Sequence, residues 1–522
     1  MAGCSQETAD PGAGGRASAS ATEGERPPGE PGLPRRSLSH SGSTGGDARH
    51  SIEATGMAAI TLTGLLDGCD TGGPEDRSRS RPIASASPRP LMLTLRLDEA
   101  HEQPSRQIPR ALLLAYGFLF LLTAVYWTIY LARQPSFAAY AYRTDFLGIY
   151  VGARSLATGH GAQLYDLGQQ RLQMDQAVQP YHRGNLMAFI YPAYVAVLLR
   201  PIGALSFGHA VVVLLALNSL IALWIAWLLA TRFLRSSRDR IALLLAYFAF
   251  VPLQLTLLQS QFGLLPALGV LQAILALRAQ RHARAGCWLL VGLLKPQLIL
   301  FPLFALLLWR CWSALLSFLA GLAAVLGLSF ATVGWWIPTY LAFLRAYNRG
   351  GAGVSLFPIA MQNWRGLAYA IFRNESSPAF LTFLVTLTVL SLAAVVLVCR
   401  RVTLRGAEPS PARLSWEPRF AVAVLLGILS SPHLYMHDWI VFVPAGILMW
   451  LWVGEQRAPG DGVWRGFRVL LAASPFVVWF GQFVLGPASG FVQVVPCWMG
   501  LLATTACVSI VRGSAVSGVQ SN

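Results

Sequence analysis

From Arg110 onward the chain is a succession of long apolar stretches separated by short polar turns, with only ten acidic residues in 413 positions. A helix of about 17 to 25 mostly apolar residues crosses the hydrocarbon of a bilayer. Backbone amides have no water to bond there, so the crossing segments satisfy themselves as helices. Candidate segments are 110–132, 187–205, 209–231, 241–258, 262–278, 286–309, 313–333, 379–399, 420–432, 439–453, 467–485 and 491–511. The expected fold class is therefore all-α, a polytopic transmembrane helical bundle of about 10 to 12 membrane segments. Composition agrees: 54% of residues are apolar and 12% charged, against roughly 25% charged in an ordinary soluble domain.

Residues 1–109 are of another kind. They hold 14 of the 24 acidic residues, are rich in Gly, Ser, Pro and Ala, and carry no sustained apolar period. Such a segment cannot bury enough surface to offset its ordering entropy, so 1–109 is expected to be a disordered tail. Its one apolar run, Met57 to Leu66, is too short to span. The membrane domain is expected over 110–512, with a short C-terminal tail over 513–522.

The net charge of +16 raises the question of nucleic acid. The Arg residues past 110 sit between apolar runs instead of forming a patch interleaved with aromatics, so no nucleic-acid partner is expected. Arg beside membrane segments sets topology by the positive-inside rule. Clusters at Arg232 to Arg240, Arg278 to Arg284, Arg310, Arg400 to Arg405, Arg457 to Arg468 and Arg512 would then be cytoplasmic, and the intervening loops outer. Counting disagrees at one place: if both 187–205 and 209–231 cross, Arg232 emerges on the outer side. Either one of them fails to cross or that cluster breaks the rule. No inverted repeat of a transporter is visible, and the seven Cys are scattered without metal spacing.

Polar groups inside or beside such helices are functional candidates. Asp145 follows the first segment in Tyr142-Arg143-Thr144-Asp145-Phe146, and Phe146, Ile149, Tyr150, Ala153 and Ala157 then recur at helical spacing. Its structural alternative is helix capping or pairing with Arg143. Asp166 reads as a helix N-cap after the turn Gly159-His160-Gly161. Lys295 is the only lysine in the chain and, with Pro296, interrupts an apolar stretch, so two half-helices are expected to meet there. Its ammonium suits a phosphate as a point charge; the alternative is snorkelling to one interface. His433 and His437 would share a face if helical, which suits a metal pair, but Pro432 favours a helix-start loop in which a His donates to a phosphate and Asp438 orients it. Gln259, Gln261, Gln362 and Asn363 add hydrogen-bonding groups on the outer side. No Walker A, dinucleotide-glycine or zinc-protease motif occurs, so a transferred sugar would come from a lipid-borne donor.

Taken in order, Asp145-Phe146, Gly161 to Leu164-Tyr165-Asp166, Tyr191-Pro192, the Gln259 to Gly263 turn, Lys295-Pro296 in a run ending Leu308-Trp309-Arg310, Gln362-Asn363, and Ser431-Pro432-His433 with His437-Asp438 resemble glycosyltransferase family 87 over about 108–512. Departures are Ala193 after Tyr-Pro, and a turn that only approximates the family's Gly-Gln. The resemblance implies a GT-C-like membrane enzyme, similar to bacterial polyprenol-phosphate-mannose-dependent mannosyltransferases. Its implied reaction is inverting transfer from a polyprenyl-phosphate sugar to a glycolipid or glycan hydroxyl, at the extracytoplasmic face of a bacterial inner membrane. By the same resemblance Asp145 is the general base, Lys295, His433 and His437 meet the donor phosphate, and Tyr142, Asp166, Gln261, Gln362 and Asn363 are candidates for acceptor or sugar binding. No metal and no cofactor besides the lipid-linked donor are expected. The rival reading is a lipid or sugar-lipid flippase using the same cavity.

Overall fold

The computed structural model describes residues 108–348, 357–400, 416–455, 462–485 and 493–519. The expected tail lies outside the described residues but for its last two positions, as do Arg405 and Arg457. The expected C-terminal tail, 513–522, begins inside a helix that continues to Val519.

All regular structure among the described residues is helical. A first long helix, α1 (Arg110–Ala132), leads into an outer segment of short ones: α2 (Phe137–Ala141), α3 (Phe146–Ala157), α4 (Leu167–Val178) and α5 (Ala193–Gly203). The bundle continues with α6 (Phe207–Arg232), α7 (Ser237–Ala249), α8 (Val251–Leu258), α9 (Leu264–Arg278), α10 (His282–Leu290), α11 (Leu300–Leu308) and α12 (Trp312–Val333). A second outer segment carries α13 (Ile337–Asn348) and α14 (Trp364–Phe372). The chain ends with α15 (Pro378–Cys399), α16 (Trp416–Leu429), α17 (Phe442–Glu455), α18 (Gly462–Phe483) and α19 (Val494–Val519).

Local chemistry sets several starts: the Ser136, Asp166, Asn363 and Ser377 side chains each accept an N–H from the first turn of the following helix. Burial separates the long helices. On α12 and α15 few residues are buried and several large apolar side chains are exposed, whereas α16 is buried almost all round. A helix apolar on every face belongs inside the bundle.

Among the described residues seven spans are long and apolar enough to cross a membrane, or eight if α7 and α8, bent by 49° at Phe250, count as one. That is fewer than the ten to twelve expected. The shortfall has a physical cause. The stretches around α9, α10 and α16 leave the helix early, at the Gln259 to Gly263 turn, at Lys295 and at Ser430 to Pro432. Irregular backbone is tolerated at depth where it lines a cavity, and residues of all three breaks line one cavity.

The counting conflict around Arg232 also resolves. Helix α5 lies along α3, so close that a Cβ on Gly203 would stand 2.3 Å from the Ala153 backbone. The Tyr150 hydroxyl donates to the Leu205 carbonyl at 2.8 Å. The stretch 187–205 therefore stays with the outer segment, and α6 begins on that side. At its other end the Arg278 guanidinium, 4.4 Å from the Phe233 ring, forks onto Glu417 at 2.7 Å. Arg419 donates to the Val398 carbonyl and Trp309 to that of Cys399. The Arg-bearing ends of α6, α9, α11, α15 and α16 thus gather away from the outer segments.

Candidate functional site

Three breaks in helical structure converge on one point. The first is the start of α3. Asp145 occupies the capping position but has helical backbone angles (φ −71°, ψ −13°), and its side chain makes no capping bond. Asp166 and Asn363, with extended backbones, turn their side chains back onto Gln169 N and Gly366 N. The Asp145 N–H is taken by Gln259 Oε1 at 3.1 Å. Its carboxylate is left to face a cavity of about 510 Å³.

The second is Lys295, at φ −139° and ψ 73° between short 3-10 turns. Its ammonium has three N–H donors, and three partners surround it: Asp438 Oδ1 at 2.5 Å, His437 Nε2 at 3.2 Å and Gln261 Oε1 at 3.3 Å. It does not snorkel, being only 3% exposed. The expected break at this residue is present in the structure.

The third is the loop after α16. Asn363 donates to the Ser431 carbonyl at 2.5 Å, Gln362 N–H to Leu434 O at 3.0 Å, and Trp439 Nε1 to Gln362 O at 3.0 Å. Thr256 Oγ1 donates to His437 O at 2.9 Å. Gly263 is needed beside it, because a Cβ there would stand 3.0 Å from the same carbonyl. His433 precedes the helical turn beginning at Met436, so the two imidazoles reach the cavity from a loop and a turn instead of one helix face.

Asp145, Gln261, Lys295, His433 and His437 all line this cavity, with Asp438. Tyr142, Asp166, Gln362 and Asn363 do not. Tyr142 stacks on Tyr181 at 4.7 Å, Asp166 caps α4, and the Gln362-Asn363 pair braces the His433 loop from behind. Tyr191, noted in the sequence only within Tyr191-Pro192, also lines the cavity, as does Arg183, which was not singled out. Arg183 lies in a polar loop, where an Arg ordinarily faces water, and no local pattern marks it. Apolar side chains, among them Ile149, Met187, Ile190, Leu344 and Phe357, line the cavity as well.

Electrostatics follow from enclosure. Asp145 is half-buried, yet surrounding protein raises its carboxyl above the usual range; Arg183, Lys295 and a Gln261 hydrogen bond oppose that shift, while Asp438 adds to it. Burial pushes His433 down to about 4, so its ring is neutral at pH 7. Among the described residues no group of three His, Cys, Asp or Glu is placed to hold a metal ion.

Residues 189–432 match the model of glycosyltransferase family 87. That match supports glycosyltransferase family 87 for this stretch of the chain. No curated protein and no solved structure matches it. The match supports a membrane glycosyltransferase, a transferase that would use a sugar donor and acceptor at the membrane. The matched region contains Gln261, Lys295, Gln362 and Asn363 and ends at Pro432, so Asp145, His433 and His437 lie outside it. Their case rests on the geometry above.

Proposed function

We propose that this chain transfers a sugar, mannose or another lipid-carried hexose, from a polyprenyl-phosphate donor to a hydroxyl of a glycolipid or glycan. Asp145 is the general base and the anomeric centre inverts. The observation that carries the reading is a carboxylate at a helix start that forgoes its cap and faces a cavity lined by Lys295 and two imidazoles. The lining mixes polar and charged groups with apolar side chains, which suits a substrate with a charged head on a hydrocarbon tail.

In the proposed step the acceptor O–H gives its proton to Asp145. Its oxygen attacks the anomeric carbon from the face opposite the phosphate. The carbon–oxygen bond to phosphate breaks, and polyprenyl phosphate departs with the electron pair. A base within hydrogen-bond reach contributes typically ~10² to 10⁴ in rate. A raised carboxyl pKa makes Asp145 a better base than an ordinary aspartate, provided it is ionised. Lys295, fixed by Asp438, supplies preorganised positive charge toward the leaving phosphate. His433 supplies a neutral N–H, and His437 steadies the ammonium through Nε2. The phosphate charge is met by these groups with no metal and no cofactor beyond the donor.

The cavity lies with the outer segments and the Arg-bearing helix ends gather opposite, which by the positive-inside rule supports an extracytoplasmic site in a bacterial inner membrane. The test is transfer from radiolabelled polyprenyl-phosphate mannose to a membrane lipid extract in proteoliposomes. Wild type is expected to give product and Asp145→Asn none; undiminished product from Asp145→Asn would remove Asp145 from the reaction.

A further inference from the structure

A buried amide stands behind the site. Asn218 lies within α6, wholly buried, and the other inward residues of that helix are apolar. Its Nδ2 donates to the Gln261 carbonyl at 3.0 Å, while its Oδ1 has no partner. A buried amide with half its capacity unused costs stability. A polar residue kept at such a place in a membrane-crossing helix is a functional candidate.

What Asn218 holds is the residue that joins the two sides of the cavity. Gln261 follows Ser260, which sits at φ 49°, and the Gln261 N–H donates to Thr256 O at 2.9 Å. With Asn218 on its carbonyl, both main-chain groups of Gln261 are tied down. Its side chain then reaches Lys295 Nζ at 3.3 Å and lines the same cavity as the Asp145 carboxylate.

We propose that Asn218 is a positioning residue for sugar transfer, holding the Gln261 main chain so that its side-chain amide keeps Asp145 in register with Lys295. The proposal rests on Asp145 as base. Asn218 does not line the cavity and acts through Gln261 alone.

The experiment uses the full chain with Asn218→Leu, which keeps most of the volume and removes the unpartnered oxygen but leaves the Gln261 carbonyl without its donor, so its Tm in detergent should stay near wild type. Asn218→Ala, which empties space instead, is the second variant should the first fail to fold. The first readout needs no substrate: a pH titration of the ¹³C carboxyl resonance in aspartate-labelled protein, identified as the one lost in Asp145→Asn. Facing that carboxylate are Arg183, Lys295, Asp438, Tyr191, Tyr435 and the Gln261 amide. The amide favours the ionised form, so loosening it is expected to move the midpoint to higher pH. The second readout is transfer from polyprenyl-phosphate mannose in proteoliposomes. There kcat is expected to fall about ten- to a hundred-fold with KM little changed, and the acid limb should follow the resonance.

A folded variant whose Asp145 midpoint does not move overturns the proposal, whatever the rate does. Transfer by Asp145→Asn at the wild-type rate overturns the base assignment instead, and the titration still decides whether Asn218 governs the carboxylate.

Discussion

Lys295 Nζ and Asp438 Oδ1 lie 2.5 Å apart with both side chains almost wholly buried, joining the break after α10 to the loop after α16. Removing either partner leaves a buried charge uncompensated, which costs about 3–5 kcal/mol. Lys295→Met and Asp438→Leu should therefore each lower Tm in detergent. The double variant should recover most of that loss, because two apolar groups replace the pair, yet show no transfer. Thermal unfolding beside the proteoliposome assay checks both halves.

Asp145→Asn is expected to behave oppositely. Enclosure raises the Asp145 carboxyl, so its ionised form is less stable folded than unfolded. The sign follows: a raised acid binds its proton more tightly in the native state, and its contribution to stability falls as pH rises through the folded pKa. At neutral pH the amide removes that burden. Tm should be unchanged or higher while kcat falls by about 10² to 10⁴.

The pH profile separates the carboxylate from the imidazoles. Activity should rise with pH along a limb displaced above the ordinary aspartate range, because the base works only when ionised. Arg183 opposes the upward shift of Asp145. Arg183→Gln should therefore move that limb to still higher pH. His433, held down at about 4, should produce no separate limb near 6.5, and His433→Gln, which keeps a neutral donor, should retain more activity than His433→Ala. Profiles of kcat/KM for the four proteins test this.

Gly203 tests whether the outer segment is rigidly set. A Cβ would stand 2.3 Å from the Ala153 backbone, which no side-chain rotation can relieve. Gly203→Ala must push α5 off α3, the helix that Asp145 opens, at about 1–3 kcal/mol for overpacking. Lower Tm together with lower kcat is expected. Gly208→Ala, where the space is open, should show neither.

Several features were legible because they are local. Apolar length announced the long helices α1, α6, α12, α15, α18 and α19, and the spacing of Phe146, Ile149, Tyr150 and Ala153 announced α3. Asp166 was readable as a cap from its sequence neighbourhood alone. The Lys295-Pro296 interruption marked a break wherever the helix might pack. The expected span count is not confirmed, because hydropathy does not register where a helix stops at a cavity; α9, α10 and α16 end on polar turns whose purpose is visible only when the three meet.

The sequence by itself determined that this protein is a helical membrane bundle and where its costly polar residues lie, since bilayer length, helical period and proline breaks act within one segment. Tertiary structure decided which of those residues meet. Lys295 finds Asp438 across 143 positions, Asn218 finds Gln261, and Arg183 comes from a polar loop to line the same cavity as Asp145, while Gln362 and Asn363 turn away to brace a neighbouring loop. Those pairings depend on how whole helices pack against one another, and that geometry is a property of the assembled core that no single stretch of chain encodes.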